Sequence, residues 1–207
     1  MLRSMKELER YAILATDGKV GHVEDFYFDA EKWVVRYLIV DTGSWLSSRK
    51  VLISPLAIGH PDWKEKALPV HLTRAQVEAS PGIDTDKPVS RQYEVEYLGY
   101  YGYPLYWGSA ELWSGGAFPN MMLPGYAGFA PMSDNMLLSA EERDFARAAA
   151  ARHQNDDPNL RSCNAVTAYD VHATDGDIGH VQDFLVDENT WAIAPEENVT
   201  CPFEGSK

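Results

Sequence analysis

The strongest constraint on how this chain can fold is that it repeats itself. Residues 2–33 align without a gap on residues 160–191, at a constant offset of 158. Leu2, Arg3 and Ser4 match Leu160, Arg161 and Ser162, and Tyr11 matches Tyr169. Ala15, Thr16, Asp17 and Gly18 match Ala173, Thr174, Asp175 and Gly176. Gly21, His22 and Val23 match Gly179, His180 and Val181, Asp25 and Phe26 match Asp183 and Phe184, and Asp29 and Trp33 match Asp187 and Trp191. Fifteen of 32 positions are identical, where unrelated segments of this length would share about two. The pattern predicts a duplicated structural unit, so the rules that fold one copy should serve for both.

The first copy reads as a run of short strands. Residues 11–15 are one candidate, closed by Asp17-Gly18, a tight-turn signal. Residues 20–28 follow, then a polar turn from Asp29 to Lys32. Residues 33–41, Trp-Val-Val-Arg-Tyr-Leu-Ile-Val-Asp, are rich in β-branched and aromatic side chains and make the clearest strand of the chain. Residues 50–58 and 67–72 complete the set, separated by Gly59-His60-Pro61-Asp62. Five or six short strands within about 65 residues, with no helix between them, predict a mainly β fold closed or nearly closed into a small barrel. Closure also removes exposed strand edges. Val35, Tyr37, Leu38, Ile39, Val51 and Ile53 are predicted core.

Thr73 is placed to cap a short helix over residues 74–79, stopped by Ser80-Pro81-Gly82. A second helix is predicted over residues 90–101. Residues 102–131 are dense in Gly, Pro and aromatics without helical or strand period, and read as a loop or extended linker. Ser139-Ala140-Glu141-Glu142 is a capping box opening a helix that runs to Arg152. The expected organisation is a complete barrel over residues 1–80, a linker region over 81–159, a partial second repeat over 160–193 and a divergent tail over 194–207.

The motif Ala-Thr-Asp-Gly-x-x-Gly-His-Val-x-Asp-Phe, followed by Arg36-Tyr37-Leu38-Ile39-Val40-Asp41-Thr42 and Lys50-Val51-Leu52-Ile53-Ser54-Pro55, resembles the PRC-barrel superfamily. That family includes the cytoplasmic domain of the photosynthetic reaction-centre H subunit and the C-terminal domain of a ribosome maturation factor. The resemblance implies a PRC-type barrel and a docking or complex-assembly role rather than chemistry. It leads to a non-enzymatic protein-complex adaptor as the first expectation. A peripheral component of a photosynthetic light-reaction or light-harvesting complex is the second, and an RNA-processing role the third.

The two copies part abruptly. Trp33-Val34-Val35 continues into the Arg36 strand, whereas Trp191-Ala192-Ile193 continues into Ala194-Pro195-Glu196-Glu197. The sudden loss of similarity points to a truncation or a frameshift. Two or three strands without their partners are marginal in water. Two readings therefore stay open: the partial copy packs on the first barrel or pairs with another chain, or it is poorly ordered.

Composition narrows the functional classes. The chain carries 31 acidic and 18 basic side chains, a formal charge of −13. With no Lys/Arg cluster, nucleic-acid binding and general adhesion to anionic membranes are not expected. No run approaches the ~18 apolar residues of a spanning helix, and the N-terminus lacks an apolar leader segment, so a cytoplasmic chain is expected, with peripheral association with an inner-membrane complex left open. Cys163 and Cys201 make neither a disulfide framework nor a metal spacing. Asn198-Val199-Thr200 matches a glycosylation acceptor and is read as chance.

His22 and His180, flanked by Asp17, Asp25, Asp175 and Asp183, are candidates for a metal or proton site. The preferred reading is structural: Asp-Gly turns the hairpin, and His and Asp satisfy local backbone groups. Gly18-x-x-Gly21 and its counterpart Gly176-x-x-Gly179 lie between strands with no following helix, so neither is a phosphate loop. No Gly-x-Ser-x-Gly elbow or nucleophile–base constellation appears. No cofactor, metal or catalytic residue is assigned. The candidate interaction surface is aromatic: Tyr97, Tyr100, Tyr101, Tyr103, Tyr106 and Trp107, residue types enriched at protein interfaces. The alternative is that these rings cover the barrel or bury the linker between the repeats.

Overall fold

Asp17 and Gly18 set the first pairing. In the computed structural model, which describes residues 1–81, 83, 89, 91–103, 106, 160–167, 169–174 and 176–194, Gly18 has φ +146°, a conformation that L side chains rarely adopt. It lets the chain reverse from strand β2 (Ala12–Ala15) into β3 (Gly18–Asp29). A short β1 (Leu2–Ser4) and a single helical turn α1 (Met5–Leu8) precede them. β4 (Val34–Asp41) pairs antiparallel with β3, and β5 (Lys50–Ile53) pairs antiparallel with β4. β6 (Ala67–Pro69) lies parallel to β2. The sheet order is β5-β4-β3-β2-β6.

This sheet is not closed, which corrects the expected barrel closure. The strand predicted over residues 50–58 ends at Ile53, because Ser54 accepts from Leu56 N at 3.3 Å and Pro55 opens a 3-10 turn. Proline has no ladder donor, and one also ends β6 at Pro69. The two outer strands therefore do not pair with each other. Their continuations meet instead at one bridge, Ile58 with Val70. Gly59 N donates to Pro69 O and His71 N to Ala57 O, both at 2.8 Å. The result is a strongly curved open sheet pinned across its gap.

The inner face gathers Ile13, Val20, Val23, Phe26, Leu38, Val51, Ile53 and Leu68, all fully buried. Each such side chain contributes about 1.5–3 kcal/mol. Helix α2 (Arg74–Ala79) closes one end with Val77. Its capping box is made by Thr73 and Gln76, and Asp17 Oδ1 accepts from Arg74 N at 2.8 Å, which ties the hairpin turn to it. The predicted core residues Val35, Tyr37, Leu38, Ile39, Val51 and Ile53 are all buried, but on two faces. Tyr37, Ile39 and Leu52 point outward, into a second cluster with Tyr97 and Leu98 of α3 (Arg91–Tyr101).

The C-terminal segment supplies β7 (Leu160–Ser162), one helical turn α4 (Cys163–Val166), β8 (Asp170–Ala173), β9 (Gly176–His180) and β10 (Leu185–Asp187). It packs on the first: Cys163, Phe184, Val186, Trp191 and Ile193 are buried within the same cluster as Met5 and Phe28. Among the described residues the reading in which this segment packs on the first unit is the one realised. Trp107, Asp175, the loop beyond Tyr106, the helix predicted from Ser139 and the tail beyond Ala194 lie outside the described residues.

Candidate interaction site

The aromatic residues singled out from sequence spread over very different environments. Tyr97 is buried; its hydroxyl accepts from Ser54 N at 3.0 Å and donates to Leu52 O at 3.1 Å. Its ring meets Tyr37 edge-on at 5.1 Å and Tyr101 at 4.9 Å. Tyr101 stacks on Tyr103 at 5.5 Å, and both are half-buried. Tyr106 is buried, with the Arg36 guanidinium 3.8 Å from its ring centre. Tyr100 is the exposed one, at 42%, and its hydroxyl donates to Gln76 O at 2.9 Å.

Beneath these rings lies a buried polar group. Glu94 is fully buried, and its Oε1 accepts from Tyr37 at 3.0 Å and from Tyr106. Arg36, also buried, pairs with Asp29 Oδ2 at 3.2 Å. Burial holds the Tyr37 and Tyr97 hydroxyls well above the ordinary tyrosine range, and burial pushes Tyr101 up to about 12. Side chains so desolvated and bonded hold α3 on the sheet.

The signature residues of the first repeat are mostly spent on geometry. A Cβ at Gly21 would fall 2.0 Å from Asp41 O, so β4 passes this position only because it is glycine. His22 is half-exposed, with Nε2 3.9 Å from Asp41 Oδ2. Among the described residues no group of three His, Cys, Asp or Glu side chains is placed to hold a metal ion. Gly176 and Gly179 of the second segment have nothing within 4 Å of a built Cβ, and His180 is exposed.

Asp25 and Asp183 behave differently: each reaches across to the other segment. Asp25 Oδ2 accepts from Ser162 Oγ, and its Oδ1 accepts from Asn164 N at 3.1 Å. In mirror image, Asp183 Oδ2 accepts from Ser4 Oγ, and its Oδ1 accepts from Lys6 N at 3.2 Å. Each aspartate also accepts from the next backbone N–H, Phe26 or Phe184. Each serine caps its own helical turn, taking Glu7 N or Ala165 N.

The strands follow the same reciprocity. β7 pairs with the end of β3, as Leu160–Asp29, Arg161–Phe28 and Ser162–Tyr27. β1 pairs with β10, as Leu2–Asp187, Arg3–Val186 and Ser4–Leu185, which is the same register moved by 158 residues. Val35 N donates to Trp191 O at 2.9 Å, and Ile193 N donates to Trp33 O at 2.7 Å. Residues 2–35 and 160–193 thus exchange arms across a pseudo-two-fold seam.

Electrostatics at the seam is tight. Burial raises Asp25 above the ordinary aspartate range, although bonds from Ser162, Phe26 N and Asn164 N oppose the shift. Burial, then the charges of Asp25 and Asp183, raise Glu9. Burial, then Asp25 and Asp183, push the Cys163 thiol far up. Sequence reasoning read Asp25 and Asp183 as local hairpin groups and missed this seam. The signal was the Leu-Arg-Ser triplet, identical in both copies and lying before the first hairpin strand of each.

No curated protein matches the sequence at a significant level. The family model for the PRC-barrel domain matches residues 3–74, the span from the exchanged arm through the five strands β2 to β6 to the start of α2. Residues 3–74 of this chain are a PRC-barrel domain.

Proposed function

We propose that this chain is a non-catalytic protein-binding module, a protein-complex adaptor that works by docking. The observation that carries the reading is the seam. The end of β3 accepts an added strand, β7, and a carboxylate on β3 grips the serine and the helical turn that follow it. Main-chain pairing at a sheet edge gives affinity, and the adjoining side chains give selectivity. Residues 160–193 enter as a partial second PRC-type copy that occupies this face. The tyrosines of α3 enter as the cover of the sheet, with Tyr100 at its rim. No helix among the described residues is long and apolar enough to cross a membrane, so a place beside a photosynthetic complex would need other contacts. Neither that place nor an RNA-processing role is favoured by a residue of the described fold, and both stand behind the adaptor reading.

Cross-linking with mass spectrometry in the native cell tests it. Reproducible cross-links from Lys6 or Lys66 to a defined protein set support an adaptor. Turnover in a broad hydrolase screen that is lost in His22→Ala would overturn it.

A further inference from the structure

The seam joins two segments of one chain, yet its geometry is that of a contact between identical surfaces. Residues at the same repeat position meet each other: Cys163 Sγ lies 3.9 Å from Met5 Sδ, and Val34 bridges Ala192. Such self-meeting positions mark a two-fold axis. Away from the axis, the bonds of the serine and the helical turn are returned at the equivalent positions, as with Ser4 to Asp183 and Ser162 to Asp25, and Lys6 N to Asp183 and Asn164 N to Asp25. The side chains that make these bonds are identical in the two segments. The first segment therefore carries both halves of the contact on one surface, the Leu2-Arg3-Ser4 arm and the Asp25 acceptor.

We propose that the face of the first segment now covered by the second is a homotypic docking surface whose partner is the first segment of a second copy of this chain. The second segment is then an intramolecular occupant that keeps the chain monomeric until it is released. This rests on the reading of the barrel as a docking module and names its partner. In the pair, Ser4 of one copy donates to Asp25 of the other, and the Leu2-Arg3-Ser4 arm lies along residues 27–29 in the register that β7 uses.

The differences between the segments explain why the occupant prevails. Arg3 pairs with Glu188 at 2.9 Å, and the position equivalent to Glu188 is Ala30. The pair between molecules therefore lacks that ion pair. It must also seat Met5 and Phe28 where Cys163 and Val186 now sit.

The axis supplies the test, using the full-length chain throughout. In a Cys201→Ser background, Met5→Cys places a thiol opposite Cys163, and mild oxidation should give an intramolecular disulfide, read as the loss of two hydrogens from a monomeric mass. A second chain carries Met5→Cys, Cys163→Ser and Cys201→Ser, with Asp183→Ala to release Ser4 and Lys6. A stronger form adds Phe184→Ala, with circular dichroism confirming that the β fold is kept. Expected is a disulfide-linked dimer through position 5, formed at least tenfold faster than in the chain with Asp183 and Phe184 intact. Adding Ser4→Ala and Asp25→Ala should return the rate to baseline. If the first chain closes its internal disulfide but the released chain stays monomeric, the homotypic surface is wrong and the docking reading survives. If the internal disulfide does not form in a folded chain, the seam fails and both readings fall.

Discussion

Residues 18–29 and 176–187 are identical at seven of 12 positions, yet they end as different structures. The first is one continuous strand of 12 residues. The second is two pieces, Gly176–His180 and Leu185–Asp187, with no strand at residues 181–184. The difference is the neighbour. β3 is paired with β4 along residues 22–29, and the second segment has no such sequence after Ile193. Strand character here is conferred by pairing and packing more than by the segment's own residues. The glycines report the same thing: Gly21 sits against Asp41, while Gly179 has open space.

Substitutions at matched positions should break or sharpen this comparison. The largest effect is expected at the tryptophans. Trp191 is 3% exposed and Trp33 is 47% exposed. Trp191→Ala should cost about 3–5 kcal/mol in urea unfolding, and Trp33→Ala about 1 kcal/mol or less; equal costs would contradict the asymmetry. Next, Gly21→Ala should cost about 3 kcal/mol, since β4 must move away, whereas Gly179→Ala should cost about 1 kcal/mol for its φ of +132°. Smaller still, Asp25→Ala and Asp183→Ala should cost similar amounts, about 1–3 kcal/mol each, because each removes the acceptor of one serine and two backbone donors. A large inequality would mean that the seam is not reciprocal.

The smallest effect is on pH. Asp25 and Glu9 have folded-state values above their unfolded ones, so the folded state binds their protons more tightly. Their contribution is fully present below the unfolded carboxylate range and is lost as pH rises through the raised values. Asp187 runs the other way. Burial raises it, but N–H groups of Thr190 and Asn189 and the Met1 ammonium outweigh that and hold it low, so its contribution is lost on acidification. Thermal midpoints should therefore rise slightly on mild acidification from neutral pH and then fall at stronger acid. In Asp25→Asn the first rise should shrink.

Much of the first unit was legible because its signals are local. The Val34–Asp41 run, the Asp17-Gly18 turn and the Thr73 cap each act within a few residues. The expected closure was less legible, since it turned on where Ser54 and Pro55 stop β5. Packing of the two segments was one of two open readings, but the bonds of the seam were not legible. Ser4 and Asp183 are 179 positions apart, and nothing in either neighbourhood names the other. The outward turn of Tyr37 was hidden too, because residues 34–40 are apolar on both faces apart from Arg36.

Glu94 has a mechanical consequence. One of its oxygens receives two phenols, Tyr37 from the middle of the sheet and Tyr106 from the chain beyond α3. Sliding α3 along the sheet would have to break both at once and take these two donors from a buried carboxyl group. The helix is therefore tied to β4 by directional bonds as well as by ring packing, so a shift of one must be answered by the other.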